Sequence, residues 1–238
     1  IDNLTNIEKI LGSNWDDNFI TNGTVSNYID GNSGYDDSND ALDRLEVYGD
    51  TIDYSQKNKA INVTLLGNTE ATVTVTGGVN DYIKNIENVS GSTIKDIIIG
   101  DDGANTLFGN AGNDTLVGGN GNDYIDGGAD NDQISGGNGA DKLFGGSGND
   151  IFIGTTFTND EIDGDNVTNS GLSDSVDYSL LDTTGLSTGV KVTLSGSTVS
   201  TVTINSNVDH TIVNIENVYG SSLADSILGD SLNNILVG

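Results

Sequence analysis

Aspartate recurs at every ninth residue in the middle of the chain, at Asp114, Asp123, Asp132, Asp141 and Asp150. Carboxylate oxygens are ligands that hard divalent cations prefer. The sequence has no cysteine and a single histidine, which argues against a zinc site built from thiolates and imidazoles. Calcium fits an irregular cage of carboxylate and carbonyl oxygens better than magnesium, because magnesium demands near-ideal octahedral geometry. These residues predict calcium binding, provided that the fold brings them together.

The aspartates belong to a nine-residue repeat that runs from residue 100 to residue 153. Position eight of each copy is apolar, and position six is aspartate or asparagine. Because two positions stay in register over consecutive copies, the pattern differs from that of a disordered glycine-rich linker. The copies are GDDGANTLF (100–108), GNAGNDTLV (109–117), GGNGNDYID (118–126), GGADNDQIS (127–135), GGNGADKLF (136–144) and GGSGNDIFI (145–153).

This repeat predicts an all-β fold, namely a parallel β-roll (a β-solenoid) with nonapeptide calcium-binding turns. Glycines at positions one, two and four allow positive φ angles, so that six residues can form a tight turn. The next three residues form a short strand whose middle side chain points inward. Two copies return the chain to the same side, so that successive coils stack about 4.8 Å apart. The chain contains no proline, which would remove hydrogen-bond donors from such a stack.

Stacking is expected to place the aspartates in two columns. Asp114, Asp132 and Asp150 share one column, and Asp123 and Asp141 share the other. Neighbouring carboxylates would repel each other by on the order of 3 kcal/mol per pair at an effective dielectric constant of about 20. We therefore expect several calcium ions between the turns. A β-solenoid without calcium is the alternative structural interpretation.

A second, longer repeat lies on both sides of this array. NIENVSGSTIKDIIIG (85–100) recurs as NIENVYGSSLADSILG (214–229). Upstream of each copy, the alternating stretches TVTVT (72–76) and TVTI (201–204) predict longer β rungs that bind no metal.

These patterns divide the chain into four segments and indicate a window from a longer tandem protein. The expected segments are a partial repeat block (1–49), a β-rich spacer (50–99), the glycine-rich calcium-binding roll (100–165) and a second spacer that runs into a truncated next array (166–238).

The GGxGxDxUx pattern of residues 100–153 resembles the RTX (repeats-in-toxin, haemolysin-type) calcium-binding family. The resemblance implies that each ion lies between turns n and n+2 and is bound by both position-six aspartates. Pairs 114/132, 123/141 and 132/150 would then form the best three sites. Backbone carbonyls would complete them: positions one and three give Gly109, Ala111, Gly118, Asn120, Gly127, Ala129, Gly136 and Asn138, and positions two and four give Gly128, Gly137, Gly139, Gly146 and Gly148.

Several residues depart from the pattern. Asp130 replaces the fourth glycine, and we expect the turn to survive because aspartate tolerates the left-handed region better than most residues. Asp160 continues the aspartate spacing after a slip of one residue, and both Asp160 and Asp36 are candidate ligands. Few glycines surround Asp36 and three other aspartates, so for these four a surface residue that ends the ladder is favoured slightly over a ligand. The other three are Asp17, Asp96 and Asp225.

Composition restricts the partners of the chain. A net charge of −28 argues against nucleic acids and anionic membranes and favours cations such as calcium. No apolar run is long enough for membrane insertion. The single histidine, His210, lies in no metalloprotease motif and is expected in a loop. Because a catalytic constellation is lacking, the sequence predicts a protein module that is not an enzyme.

The RTX resemblance implies secretion through a type I channel in unfolded form, followed by folding on extracellular calcium. We interpret the chain as a structural module of a large secreted or cell-surface protein of the adhesin, S-layer or toxin type. Self-association or surface attachment would occur through the parent protein. The alternative is an RTX domain appended to a secreted protease, lipase or epimerase. Ice or carbohydrate binding is a third hypothesis, but position three lacks the threonine row typical of RTX-like ice binders.

Overall fold

The fold of the chain is known from a computed structural model. The structure describes residues 9–12, 16–21, 26–31, 49–154, 156, 158–164, 173–205 and 207–238. All regular elements within these ranges are β-strands. The same ranges contain no apolar helix of the length that a membrane crossing needs.

Most of the strands are only three to six residues long. They are β1 Lys9–Leu11, β2 Asn18–Ile20, β3 Tyr28–Asp30, β4 Thr51–Asp53, β5 Ile61–Thr64, β6 Ala71–Val75, β7 Asp81–Lys84, β8 Asn88–Ser90, β9 Ile97–Ile99, β10 Thr106–Ala111, β11 Thr115–Asn120, β12 Tyr124–Ala129, β13 Gln133–Asn138, β14 Lys142–Ser147, β15 Ile151–Ile153, β16 Glu161–Asp163, β17 Ser175–Asp177, β18 Val190–Thr193, β19 Ser200–Ile204, β20 Asn207–Val213, β21 Asn217–Tyr219, β22 Ser226–Leu228 and β23 Ile235–Val237.

Two long sheets face each other, and the chain alternates between them through the array. One sheet has the order β1-β3-β7-β6-β5-β9-β11-β13-β15-β17-β21-β23, and the other β2-β4-β8-β10-β12-β14-β16-β20-β19-β18-β22. Each array strand pairs in parallel with the strand one coil later, so that Leu107 lies beside Ile125 and Leu116 beside Ile134. This eighteen-residue register confirms the predicted parallel β-roll.

The core is a single layer of apolar side chains between the two sheets. The position-eight residues of the array are at most 3% exposed, as the repeat predicted, and each contributes about 1.5 to 3 kcal/mol by leaving water. These residues are Leu107, Leu116, Ile125, Ile134, Leu143 and Phe152.

The array strands are longer than the sequence predicted. Strands β10 to β14 have six residues each, because they continue from positions seven to nine through positions one to three of the following repeat. The pairing is interrupted only at position one: Phe108 pairs with Asp126 and Asn110 with Gly128. The true turn therefore comprises positions four to six, which places the aspartate at its end.

The spacers contain β-strands, as predicted, and their pairing includes antiparallel strands. Strand β6 pairs antiparallel with both β5 and β7, and β19 pairs antiparallel with both β18 and β20. Each spacer is thus a three-stranded meander inserted into one of the two sheets. Short connections explain the reversal, since a parallel return would require a full crossover.

We predict that truncation in this thin core strongly destabilises the roll. Ile134 is fully buried in β13, whereas the adjacent Gln133 is exposed on the outer face. Ile134→Ala should lower the free energy of unfolding by about 2 to 5 kcal/mol, measured by urea denaturation in saturating calcium. Gln133→Ala should change it by no more than about 0.5 kcal/mol. Similar effects of the two substitutions would contradict the assignment of inward and outward faces.

Candidate metal centre

The position-six aspartates form two columns at the edges of the roll. The backbone N–H of Asp114 donates to Oδ1 of Asp132 at 2.7 Å, and that of Asp132 donates to Oδ1 of Asp150 at 2.7 Å. In the other column, Asp123 N–H donates to Asp141 Oδ1 at 2.8 Å. The structure thus brings together the three aspartate pairs singled out in the sequence. That they bind metal stays a prediction.

The second carboxylate oxygens of four of these aspartates are buried. Asp114, Asp123, Asp132 and Asp141 are at most 2% exposed, and their Oδ2 atoms accept no hydrogen bond from any residue that the structure describes. Leaving a buried anionic oxygen without a donor is costly.

Burial raises the pKa of all four carboxyls, and a neighbouring carboxylate in the same column raises each pKa further. The pKa of Asp114 reaches about 8, those of Asp123 and Asp132 about 7, and that of Asp141 about 6. The metal-free turns therefore hold their charge unfavourably at neutral pH.

Position one must be glycine because two oxygens approach its Cα. An ideal Cβ built on Gly109 would lie 2.5 Å from Asp114 Oδ2 and 2.4 Å from the carbonyl oxygen of Gly127, one coil away. On Gly127 it would lie 2.4 Å from Asp132 Oδ2 and 2.7 Å from the Gly145 carbonyl oxygen. A carboxylate oxygen and a carbonyl oxygen thus converge beside each glycine. Such a set of oxygens fits a hard cation such as calcium.

Position two differs between the last five copies of the array and the two turns that precede them. In the last five copies it has a positive φ, for example +116° at Gly119 and +104° at Gly128, and it pairs within the strand ladder. In the turn before the array and in the first array copy, the position-two N–H instead donates to the position-six side chain of its own turn. Ser92 N–H donates to Asp96 Oδ2 at 2.6 Å, and Asp101 N–H to Asn105 Oδ1 at 2.9 Å.

The backbone carbonyls predicted as metal ligands lie close to the aspartate columns. Positions one to three end strands β10 to β14, and position four begins the turn. An ideal Cβ on Gly137 would lie 2.1 Å from the Gly119 carbonyl oxygen, and one on Gly146 would lie 2.2 Å from the Gly128 carbonyl oxygen. Position-two carbonyls therefore point along the column toward the next turn. One position-three carbonyl, that of Ala129, accepts a hydrogen bond from Gly112 N–H at 3.1 Å.

Carboxylate and carbonyl oxygens together, rather than clusters of acidic side chains, define these turns. In the part of the chain that the structure describes, no three acidic, histidine or cysteine side chains group as a metal site.

Two positions at which another residue replaces glycine keep the turn geometry, since φ is +76° at Asp130 and +74° at Asn110. The expectation that the Asp130 turn survives is therefore met.

The weaker aspartate candidates have different surroundings. Asp96 is completely buried, so the expectation of a surface residue is wrong there. Its Oδ1 accepts hydrogen bonds from Ile61 N–H at 2.7 Å and from the Ser92 hydroxyl at 2.9 Å. Asp17 and Asp225 are half-buried, and Asp36 lies outside the described residues.

Asp160 ends the second column beside the single histidine of the chain. Its Oδ1 accepts the N–H of Asp141 at 3.0 Å, and its Oδ2 accepts the hydroxyl of Thr158 at 2.9 Å. His210 Nδ1 lies 3.2 Å from Asp160 Oδ2, and His210 Nε2 lies 3.1 Å from Asp209 Oδ2. The expected loop position of His210 is therefore wrong, because it is buried in β20. Protein groups already contact the Asp160 carboxylate, whose predicted metal role stays a prediction.

Sequence reasoning missed a ladder of asparagines at position five. The side-chain oxygen of Asn113 accepts the N–H of Asn131 at 3.2 Å, and that of Asn131 accepts the N–H of Asn149 at 2.7 Å. At the other edge, Asn122 Oδ1 accepts Ala140 N–H at 2.9 Å. Asparagine occurs at position five in four array repeats, and this recurrence was the available signal.

A comparison with family models agrees with this geometry. The model of the RTX calcium-binding nonapeptide repeat (4 copies) matches residues 90–125, 117–152 and 126–159. No curated protein matches the chain. The matched region contains the paired aspartates, the position-one glycines and the positive-φ turns. Residues 90–159 therefore contain RTX calcium-binding nonapeptide repeats, which confirms for this part of the chain the resemblance predicted from the sequence.

Proposed function

We propose that residues 109–150 bind several calcium ions between successive coils and that binding drives folding of the roll. One observation carries this proposal: the buried Oδ2 atoms of Asp114, Asp123, Asp132 and Asp141 accept no hydrogen bond from the described residues. These oxygens need a positive partner, and the glycine carbonyls beside them supply further oxygen ligands. Bound calcium would neutralise the facing carboxylates of each pair.

The proposed ligand set follows the columns. Asp132 would belong to two sites, one shared with Asp114 and one with Asp150, while Asp123 and Asp141 would frame a third. Carbonyls of positions one and three from one turn, and of positions two and four from the next turn in the column, would complete each site. The hydrogen bonds from Asp N–H to Oδ1 hold the two carboxylates of a pair in register without using Oδ2.

Linkage makes calcium a folding ligand, because an ion that binds only the folded roll stabilises it. A chain of net charge −28 has strong self-repulsion that opposes compaction when calcium is absent. Extracellular calcium modules typically bind at roughly 0.1 to 1 mM. We therefore propose that the chain is secreted before it folds and that extracellular calcium triggers folding. The four segments of the sequence, with spacers on both sides of the array, support a structural part of a large secreted or cell-surface protein of the adhesin, S-layer or toxin type.

We predict a cooperative gain of β-structure during calcium titration, because each ion relieves repulsion between paired carboxylates. Far-UV circular dichroism would follow the transition, and magnesium at the same concentrations serves as the control. Magnesium should be much less effective, since it requires a more regular cage. A roll already complete in chelator, or an equal response to both ions, would contradict the proposed function.

Asp132→Asn separates the two roles of the aspartate, because the amide keeps an acceptor oxygen for Asp114 N–H while it removes the charge. We expect the calcium concentration at half-folding to rise by roughly tenfold or more, since two sites share Asp132. The metal-free roll should become more stable, because burial and repulsion no longer penalise a charge.

Asp96→Asn is the matched control for this substitution. The Asp96 carboxylate already accepts hydrogen bonds from Ser92 and Ile61, so its loss should lower stability with and without calcium and leave calcium affinity unchanged. Both variants would be compared by isothermal titration calorimetry and urea denaturation. Equal losses of calcium affinity in the two variants would argue against the assignment of sites.

The raised pKa values predict a distinctive pH dependence. The folded, metal-free carboxyls of Asp114, Asp123, Asp132 and Asp141 have pKa values of about 6 to 8, above the ordinary aspartate value of 3.8. The folded state therefore binds more protons than the unfolded state between about pH 4 and pH 8, so stability in chelator should fall as pH rises through this window. Urea denaturation in chelator at several pH values would test this trend, and a stability that does not change with pH would contradict it.

A further inference from the structure

Two ladders of opposite direction connect neighbouring turns of each column. Between the turns that end at Asp114 and Asp132, Asp114 N–H donates to Asp132 Oδ1 at 2.7 Å. In the reverse direction, Asn131 N–H donates to Asn113 Oδ1 at 3.2 Å. Because positions five and six are adjacent in the chain, these bonds form a reciprocal clamp around each aspartate pair.

The same clamp repeats one coil further on. Asp132 N–H donates to Asp150 Oδ1 at 2.7 Å, and Asn149 N–H donates to Asn131 Oδ1 at 2.7 Å. Asn131 thus donates its N–H in the first clamp and accepts through its side-chain oxygen in the second. The two proposed sites that share Asp132 lie on either side of Asn131.

The clamp continues beyond the glycine-rich array. Asp150 N–H donates to Asp174 Oδ1 at 2.8 Å, and Ser173 N–H donates to Asn149 Oδ1 at 2.8 Å. Asp174 and Ser173 precede β17, the first strand of the second spacer. An unbroken row of bonds therefore leads from the array into this spacer.

We propose that the position-five asparagines are positioning residues, which fix the spacing of the paired aspartates and carry the resulting order from the array into the second spacer. This inference rests on the proposed calcium binding and deepens it. Asn131 couples the two sites that share Asp132, and Asn149 connects the last aspartate pair of the array to residues 173–177. All these asparagine side chains are exposed, so their truncation opens no cavity in the core.

Asn131→Ala tests the coupling. Loss of the acceptor for Asn149 N–H should raise the calcium concentration at half-folding by roughly 2- to 10-fold, the range expected for one hydrogen bond, and should lower the Hill coefficient. Asn131→Asp retains an acceptor oxygen and should restore the Hill coefficient. Gln133→Ala, which shortens an exposed side chain of the same coil, should leave both quantities unchanged.

The outcomes separate this inference from the function on which it rests. A wild-type chain that does not respond to calcium would overturn the proposed function and this inference with it. A normal wild-type response together with an unchanged Hill coefficient in Asn131→Ala would overturn the inference alone. Failure of Asn131→Asp to restore the Hill coefficient would also overturn it, because the acceptor oxygen is the feature proposed to act.

Hydrogen exchange tests the connection to the second spacer. In the wild-type chain, calcium should slow amide exchange both in the array strands and in residues 173–177. Asn149→Ala should leave protection of residues 115–138 intact and should speed exchange in residues 173–177 by several-fold, because the bond from Ser173 N–H to the Asn149 side chain is lost. Equal protection of residues 173–177 in the two proteins would overturn the role of Asn149.

Discussion

The whole roll depends on burying a carboxylate at each turn of a fold whose core is one side chain thick. The two carboxylate oxygens of each array aspartate make different contacts. Oδ1 accepts the N–H of the preceding coil, as in the 2.7 Å contact from Asp114 to Asp132, and so sets the stacking register. Oδ2 faces a glycine Cα and a carbonyl oxygen of the neighbouring coil. The Oδ1 contact builds the fold, while the Oδ2 contact creates the electrostatic cost that a cation can remove.

In the spacers, protein groups contact several of the buried acids. In the first spacer, Asp81 accepts two hydrogen bonds from Asn27 and lies 3.8 Å from the Lys57 ammonium group. In the second spacer His210 takes the place equivalent to Asp81, four residues before the NIENV motif, and contacts Asp160. An imidazole therefore stands where the first spacer has a carboxylate. The second spacer thus ends a carboxylate column with an imidazole rather than with another acid.

The periodic part of the structure could be read from the sequence, because the nine-residue repeat fixes the coil, the inward residues and the aspartate columns. The antiparallel meanders could not, since alternation in stretches such as TVTVT is the same for parallel and antiparallel strands. Contacts between residues that are far apart in the chain could not be predicted either. Burial of Asp96 depends on Ile61, and the environment of His210 depends on Asp160 in β16. The sequence predicts shorter strands than β10 to β14 because glycine favours turns, whereas residues at positions two and three here also pair in the ladder.

Aspartate alone does not mark a turn that can receive a cation. Asp96 has the spacing of the array, is buried as deeply as Asp114 and faces the Cα of Gly91 in the same way that Asp114 faces Gly109. The difference lies at position two, where Ser92 directs its N–H to the Asp96 carboxylate. In the array, a left-handed residue at position two keeps its N–H in the strand ladder, and the carboxylate oxygen receives no donor from its own turn. The residue at position two therefore separates the Asp96 turn, whose carboxylate accepts an N–H of its own turn, from the turns of Asp114, Asp123, Asp132 and Asp141, whose Oδ2 atoms accept none.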